Sequence, residues 1–215
     1  MSIRILLADD HTIVRHSLSS SLQEQKDMEV IGQADNGLST VELVRELSPD
    51  IVVMDIGMPD LNGIEATRQI VDESPTVKVI GLSMHSSNKY VREMFRAGAS
   101  GYLLKDCPFE ELLDAIKTVI EGKAYVSPSI GKTVIEDYIS RPDETSAFSI
   151  LSRREREVLQ LMAEGKTTKQ LAACLHISPK TVEAHRLRIM NKLDIDNVAQ
   201  LTKYAIQEGL TQPEP

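Results

Sequence analysis

Four short apolar runs in the first half of this chain each end in side chains able to do chemistry. Ile3-Arg4-Ile5-Leu6-Leu7-Ala8 leads into Asp9 and Asp10, Ile51-Val52-Val53-Met54 into Asp55, Val77 to Leu82 into Ser83, and Gly101 to Leu104 into Lys105. Three carboxylates gathered on one edge repel one another unless cations sit among them, and an oxygen-rich set beside a phosphoryl group suits Mg²⁺. Each residue also has a plain structural role. Asp9 and Asp10 can cap a helix, Asp55 can open a loop, Ser83 can end a strand, and Lys105 can be a solvated loop side chain.

For these groups to meet, the runs must be parallel strands whose carboxyl ends share an edge, the place where open α/β sheets bind ligands. The pattern supports this. Ile51 to Met54 shows no alternation of faces, as in a strand covered on both sides. Helix-like spacing follows each run: Thr12 to Gln25, Leu38 to Leu47 after a second strand Glu29 to Ala34, Asn62 to Asp72, Lys89 to Ala97, and Pro108 to Glu121. Pro108 suits a first helical turn, and Glu110 and Glu111 suit the positive end of the dipole. Five βα units predict a five-stranded, doubly wound parallel sheet with right-handed crossovers.

Composition limits the alternatives. With 215 residues, 41% hydrophobic and 26% charged, two globular domains are the default. No apolar run approaches the roughly 18 residues needed to cross a membrane, and Met1-Ser2-Ile3-Arg4 enters a strand without a signal-peptide layout. A soluble cytoplasmic protein with no membrane partner is expected. Cys107 and Cys174 lack metal-ligand spacing and fit reduced packing residues. Residues 1–148 hold 14 Lys+Arg against 24 Asp+Glu, a balance of −10, whereas 149–215 hold 10 against 8, a balance of +2. Only the tail is suited to a polyanion.

Asp9-Asp10, Asp55 with Met58-Pro59 and Gly63, Ser83 after Val79-Ile80-Gly81-Leu82, and Gly101-Tyr102-Leu103-Leu104-Lys105 together resemble the receiver domain of a two-component response regulator, which has a flavodoxin-like fold. The resemblance spans residues 1–122. It implies that the Asp55 carboxylate accepts a phosphoryl group from a sensor histidine kinase. It also implies that Asp10, Asp55 and the Gly57 carbonyl hold Mg²⁺ with Asp9 in support, and that Lys105 contacts the phosphoryl oxygens. Ser83 then turns toward the new group and Tyr102 rotates inward. Phosphoryl transfer needs an in-line nucleophile and neutralised oxygens, which this set supplies. Asp106, not proline, follows Lys105, and His85 is a candidate for tuning hydrolysis of the acyl phosphate. The chain is read as a switch with at most slow autodephosphorylation. The alternative is a phosphatase or phosphotransferase with Asp55 as catalytic nucleophile, but such enzymes commonly place a second acid where Gly57 stands.

From 123 to 148 the rhythm stops. Pro128, Gly131, Pro142 and the polar run Ser140 to Ser146 read as a connector, with a helix over Ser129 to Tyr138. Beyond it, Ser152-Arg153-Arg154-Glu155 and Thr167 to Gln170 fit capping boxes, and Ser178-Pro179 puts an N-cap before a proline at the first helical position. Four helices are predicted: one ending near Ala163, then Thr168 to Cys174, Pro179 to Leu193, and Val198 to Gln207. From pattern alone this is a helix-turn-helix or a small helical interaction module.

Leu151 to Leu159 and Ile177 to His185 are similar to the LuxR-type DNA-binding domain, a resemblance that covers about Ser149 to Leu210 of a domain expected over 149–215, joined to a receiver as in NarL/FixJ-type regulators. The helix from Pro179 is then the recognition helix in double-stranded DNA. Lys169, Lys180, Thr181, Glu183, His185, Arg186 and Arg188 are the candidate phosphate or base contacts. His176 stands where this family usually has glycine, and histidine tolerates the left-handed turn. The resemblance implies a homodimer formed on phosphorylation or DNA binding, with Val198, Leu201 and Ala205 as one contact face.

Overall fold

The computed structural model describes residues 2–84, 88–131 and 150–211. These form two compact units, the first ending at residue 131 and the second beginning at 150. No described helix is long and apolar enough to cross a membrane.

The first unit alternates β1 (Ile3–Ala8), α1 (Thr12–Gln23), β2 (Met28–Ala34), α2 (Gly37–Leu47), β3 (Ile51–Asp55), α3 (Gly63–Glu73), β4 (Lys78–Ser83), α4 (Asn88–Arg96), β5 (Gly101–Leu104) and α5 (Phe109–Ile120), and closes with β6 (Tyr125–Val126). The strands make one sheet in the order β2-β1-β3-β4-β5-β6, parallel throughout. Every residue of β3 is buried, which is why its sequence shows no alternation. Because side chains alternate across a strand, Ile5, Leu7, Ile51, Val53, Ile80 and Leu82 share one face, and they pack against Leu22 of α1 and Leu112, Ile116 and Val119 of α5. Leu6, Val52 and Met54 point the other way and are fully buried with Val44, Ile64, Ile70 and Met94 of α2 to α4. Each such side chain contributes about 1.5–3 kcal/mol on burial.

The sheet thus has six strands where the apolar pattern predicts five. β6 lies in the expected connector and is only two residues long, too short to show a period. It is held by Tyr125 N–H donating to the Ser100 carbonyl at 3.0 Å and Ser127 N–H to the Tyr102 carbonyl at 3.0 Å. Pro108 is the N-cap of α5 rather than part of its first turn. The connector helix predicted from Ser129 and the polar run after it lie outside the described residues beyond Gly131, as does His85.

The second unit holds α6 (Arg153–Ala163), α7 (Thr168–Cys174), α8 (Pro179–Leu193) and α9 (Val198–Glu208). Both capping boxes form, Ser152 with Glu155 and Thr167 with Gln170, and Ser178 caps α8 ahead of Pro179. Such caps contribute about 1 kcal/mol each. His176 makes the turn between α7 and α8 at φ +52°, the left-handed backbone anticipated there. Val158, Leu171, Leu175, Val182, Ile189, Leu201 and Ala205 form the core. This corrects the proposed contact face of α9. Leu201 and Ala205 are 1% and 0% exposed inside this unit, because the same stripe that could meet a second copy is what fastens α9 to α6. Only Val198, 44% exposed, remains at the surface.

Candidate functional site: an acidic pocket and a cationic helix

The carboxyl ends of β1, β3, β4 and β5 converge because their registers align them. Asp55 pairs with Leu82, Ser83 pairs with Leu104, and the Lys105 amide donates to the Ser83 carbonyl at 2.8 Å. This edge lies beside the β1–β3 junction, where the strand order reverses. Lys105 Nζ consequently reaches both Asp9 Oδ2 and Asp55 Oδ2, each at 2.8 Å. The amide of His11 donates to Asp9 Oδ1 at 2.8 Å, and the amide of Gly57 to Asp55 Oδ1 at 3.3 Å.

Asp9 and Asp55 are buried, whereas the Asp10 side chain is 31% exposed and opens the cluster to solvent. Burial pushes the Asp55 carboxyl above the ordinary carboxylate range, with the Lys105 ammonium acting against it. Burial opposes the charge on Lys105 too, but Asp55 and Asp9 outweigh it and hold the ammonium above its usual pKa. One ammonium therefore serves two buried carboxylates, and the third, Asp10, lies against His11. Ligand atoms of Asp9, Asp10, His11 and Asp55 lie within 4.8 Å of one another, and the carboxylate oxygens suit a hard divalent cation. The set fits such an ion both in donor chemistry and in the positive charge it lacks.

Ser83 on β4 and Tyr102 on β5 sit beside the pocket and are 1% and 0% exposed. Their side chains share a hydrogen bond, and burial pushes the Tyr102 phenol up to about 12. Tyr102 is thus an inward, fully enclosed aromatic and not a half-buried edge residue. His11 belongs to the pocket although the reading of the sequence passes over it. Its Nδ1 lies 2.7 Å from Asp10 Oδ1. The signal was present, since it is a third ligand-type residue in the run Asp9-Asp10-His11 that follows β1.

In the second unit, Val182 and Ile189, both 0% exposed, fix which side of α8 faces the core. Arg154 of α6 donates to the Leu175 carbonyl at the end of α7, and Glu155 Oε2 lies 2.8 Å from Lys192 Nζ, so α6 is tied both to the turn that precedes α8 and to the last turn of α8. Among the sequence candidates, Lys169, Lys180, Thr181, Glu183 and Arg188 are exposed, and His185 and Arg186 are half-buried. Glu183 accepts from Thr168 at 2.9 Å and from Arg186 at 3.2 Å, which spends much of its carboxylate on joining α7 to α8. Burial, with the Arg188 and Arg154 charges, lowers the His185 pKa.

The model of the response regulator receiver domain matches residues 5–117, and that of the luxR family of bacterial regulatory proteins matches 149–205. The oxygen regulatory protein NreC of Staphylococcus aureus is 38% identical over 216 aligned positions, covering 98% of this chain and all of NreC. The crystal structure of the response regulator ChrA, from a heme-sensing two-component system, is 35% identical with a TM-score of 0.53, covering 97% of this chain and 98% of ChrA. A structure of two RcsB dimers bound to two parallel DNAs is 25% identical with a TM-score of 0.61, covering 95% of this chain and 98% of RcsB. Two matched families in this order, over a phosphoacceptor-type pocket and a helix-turn-helix, place the chain among the two-component response regulators with a LuxR-type DNA-binding domain.

Proposed function

We propose that phosphorylation of Asp55 controls dimerisation and sequence-specific DNA binding by this regulator. The observation that carries the reading is the Lys105 ammonium bridging Asp9 and Asp55 at 2.8 Å, which puts a fixed cation beside a buried carboxylate nucleophile. A sensor histidine kinase is the donor. An Asp55 oxygen attacks phosphorus in line, the phosphoryl–nitrogen bond of the donor histidine breaks, and an acyl phosphate forms. Lys105 neutralises phosphoryl oxygens as they arrive. Asp10, Asp55 and the Gly57 carbonyl, with Asp9 in support, would hold Mg²⁺, which would supply the remaining positive charge. Slow loss of the phosphoryl group resets the switch.

Ser83 and Tyr102 carry the signal. A phosphoryl oxygen competes for the Ser83 hydroxyl, and a group that favours one arrangement of this pair shifts the population of the whole face. The phosphoacceptor domain extends through β6, the connector follows, and 149–215 is the DNA-binding domain. Lys169, Lys180 and Arg188 contact phosphates and Thr181 supports register, with α8 in the major groove. The protein works in the cytoplasm as a dimer on DNA. The test is enrichment of genomic fragments by the full chain with and without acetyl phosphate, alongside sizing. Wild type with the donor is expected to shift toward dimer and enrich specific fragments, and Asp55→Asn to do neither. Equal dimer and DNA affinities in both states would refute the switch.

A further inference from the structure

Leu187 is 61% exposed at the middle of α8. Stepping round the helix from the buried line Val182 and Ile189 places Lys180, Ala184, Leu187 and Asn191 on the opposite line, and all four are exposed. No folding role explains Leu187, since it lies away from the core that α8 buries. The polar groups that could otherwise dominate this surface are turned aside. Glu183 is engaged by Thr168 and Arg186, His185 is half-buried, and Lys192 bonds to Glu155. The centre of the outward face is therefore apolar, formed by Ala184 and Leu187.

Its surroundings say what covers it. Lys180 and Arg188 flank the patch, exposed and without an ion pair among the described residues. Cations at the margin match a polyanion, and an apolar centre matches a methyl group. In the major groove the one apolar group on a base edge is the C5-methyl of thymine. Resting on the DNA-binding reading above, we propose that Leu187, with Ala184 beside it, reads thymine and is a specificity-determining residue of this protein.

The test begins with selection from random-sequence duplexes by the full-length chain treated with acetyl phosphate. Thymines of the selected duplex are then replaced singly by deoxyuridine, which removes only the methyl group. Wild type is expected to bind about fourfold more weakly at one position per half-site, the worth of one buried methyl. Leu187→Ala is expected to bind thymine and deoxyuridine duplexes alike. Arg188→Ala is expected to weaken both equally while keeping the deoxyuridine penalty. Enrichment by wild type with no sensitivity at any thymine overturns the proposal alone, as does a full penalty retained in Leu187→Ala. No enrichment of any sequence overturns the DNA-binding reading and this proposal with it.

Discussion

Lys105 Nζ stands 2.8 Å from Asp55 Oδ2, so the proposed phosphoacceptor and the cation proposed to neutralise the incoming group are already in contact. Removing the ammonium separates two roles. Lys105→Ala is expected to retain divalent-cation binding, since the carboxylates stay and lose a competing charge, while phosphorylation by acetyl phosphate slows about 100-fold. Calorimetric titration with Mg²⁺ and the rate of adduct formation check the two halves. Loss of cation binding together with transfer would show that Lys105 merely holds the pocket open.

The Tyr102 hydrogen bond to Ser83 lies in the core. Tyr102→Phe is expected to fold, to cost about 1 kcal/mol for the lost bond, and to accept a phosphoryl group at an unchanged rate without shifting to dimer. Its alkaline behaviour has a definite sign. A phenol raised to about 12 in the fold favours its neutral form there, so its contribution is complete below the unfolded value of roughly 10 and falls as pH rises toward the folded one. Denaturant unfolding at about pH 8 and about pH 11 should therefore show the deficit of Tyr102→Phe shrinking at the higher pH. Tyr204, also raised to about 12, is common to both proteins and cancels.

Gly63 opens α3 directly against the end of β3. A Cβ there would lie 2.0 Å from the Asp55 carbonyl oxygen, and the Gly63 amide donates to the Ile56 carbonyl at 2.9 Å. Gly63→Ala must push the helix start away from the strand end that carries Asp55. The expected result is destabilisation by about 1–3 kcal/mol with slowed phosphorylation of the folded fraction, read from unfolding and adduct kinetics. Unchanged values in both would show that the helix start yields freely.

Lys180 and Arg188 are exposed at the margins of α8. Alanine at either is expected to weaken DNA binding nearly equally across sequences and to reduce the slope of log affinity against log salt by about one. Fluorescence anisotropy over a salt series measures it. A loss confined to one sequence would move that residue from phosphate to base contact.

Much of this was readable from residues alone, for physical reasons that also explain what was not. The run Ile51 to Met54 and the acids after it were legible because a strand buried on both faces has no polar positions to blur it. Capping boxes at Ser152 and Thr167 were legible because unsatisfied helix amides demand those side chains. β6 was not, because two residues carry no period. The α9 stripe is legible but what it packs against is not, since Leu201 and Ala205 look the same in sequence whether they meet another copy or their own core. The outward line of α8 is not legible from charge, because Leu187 has none. Which of His185 and Arg186 turn inward depends on where Val182 and Ile189 pack, a tertiary fact.

The most direct test of the account is intact mass, followed by peptide mapping, after incubation with Mg²⁺ and acetyl phosphate. Wild type is expected to gain about 80 Da on the peptide containing Asp55, and Asp55→Asn to gain nothing. An adduct elsewhere, or none on wild type alongside donor hydrolysis that requires Asp55, would contradict the switch and point to a turnover enzyme.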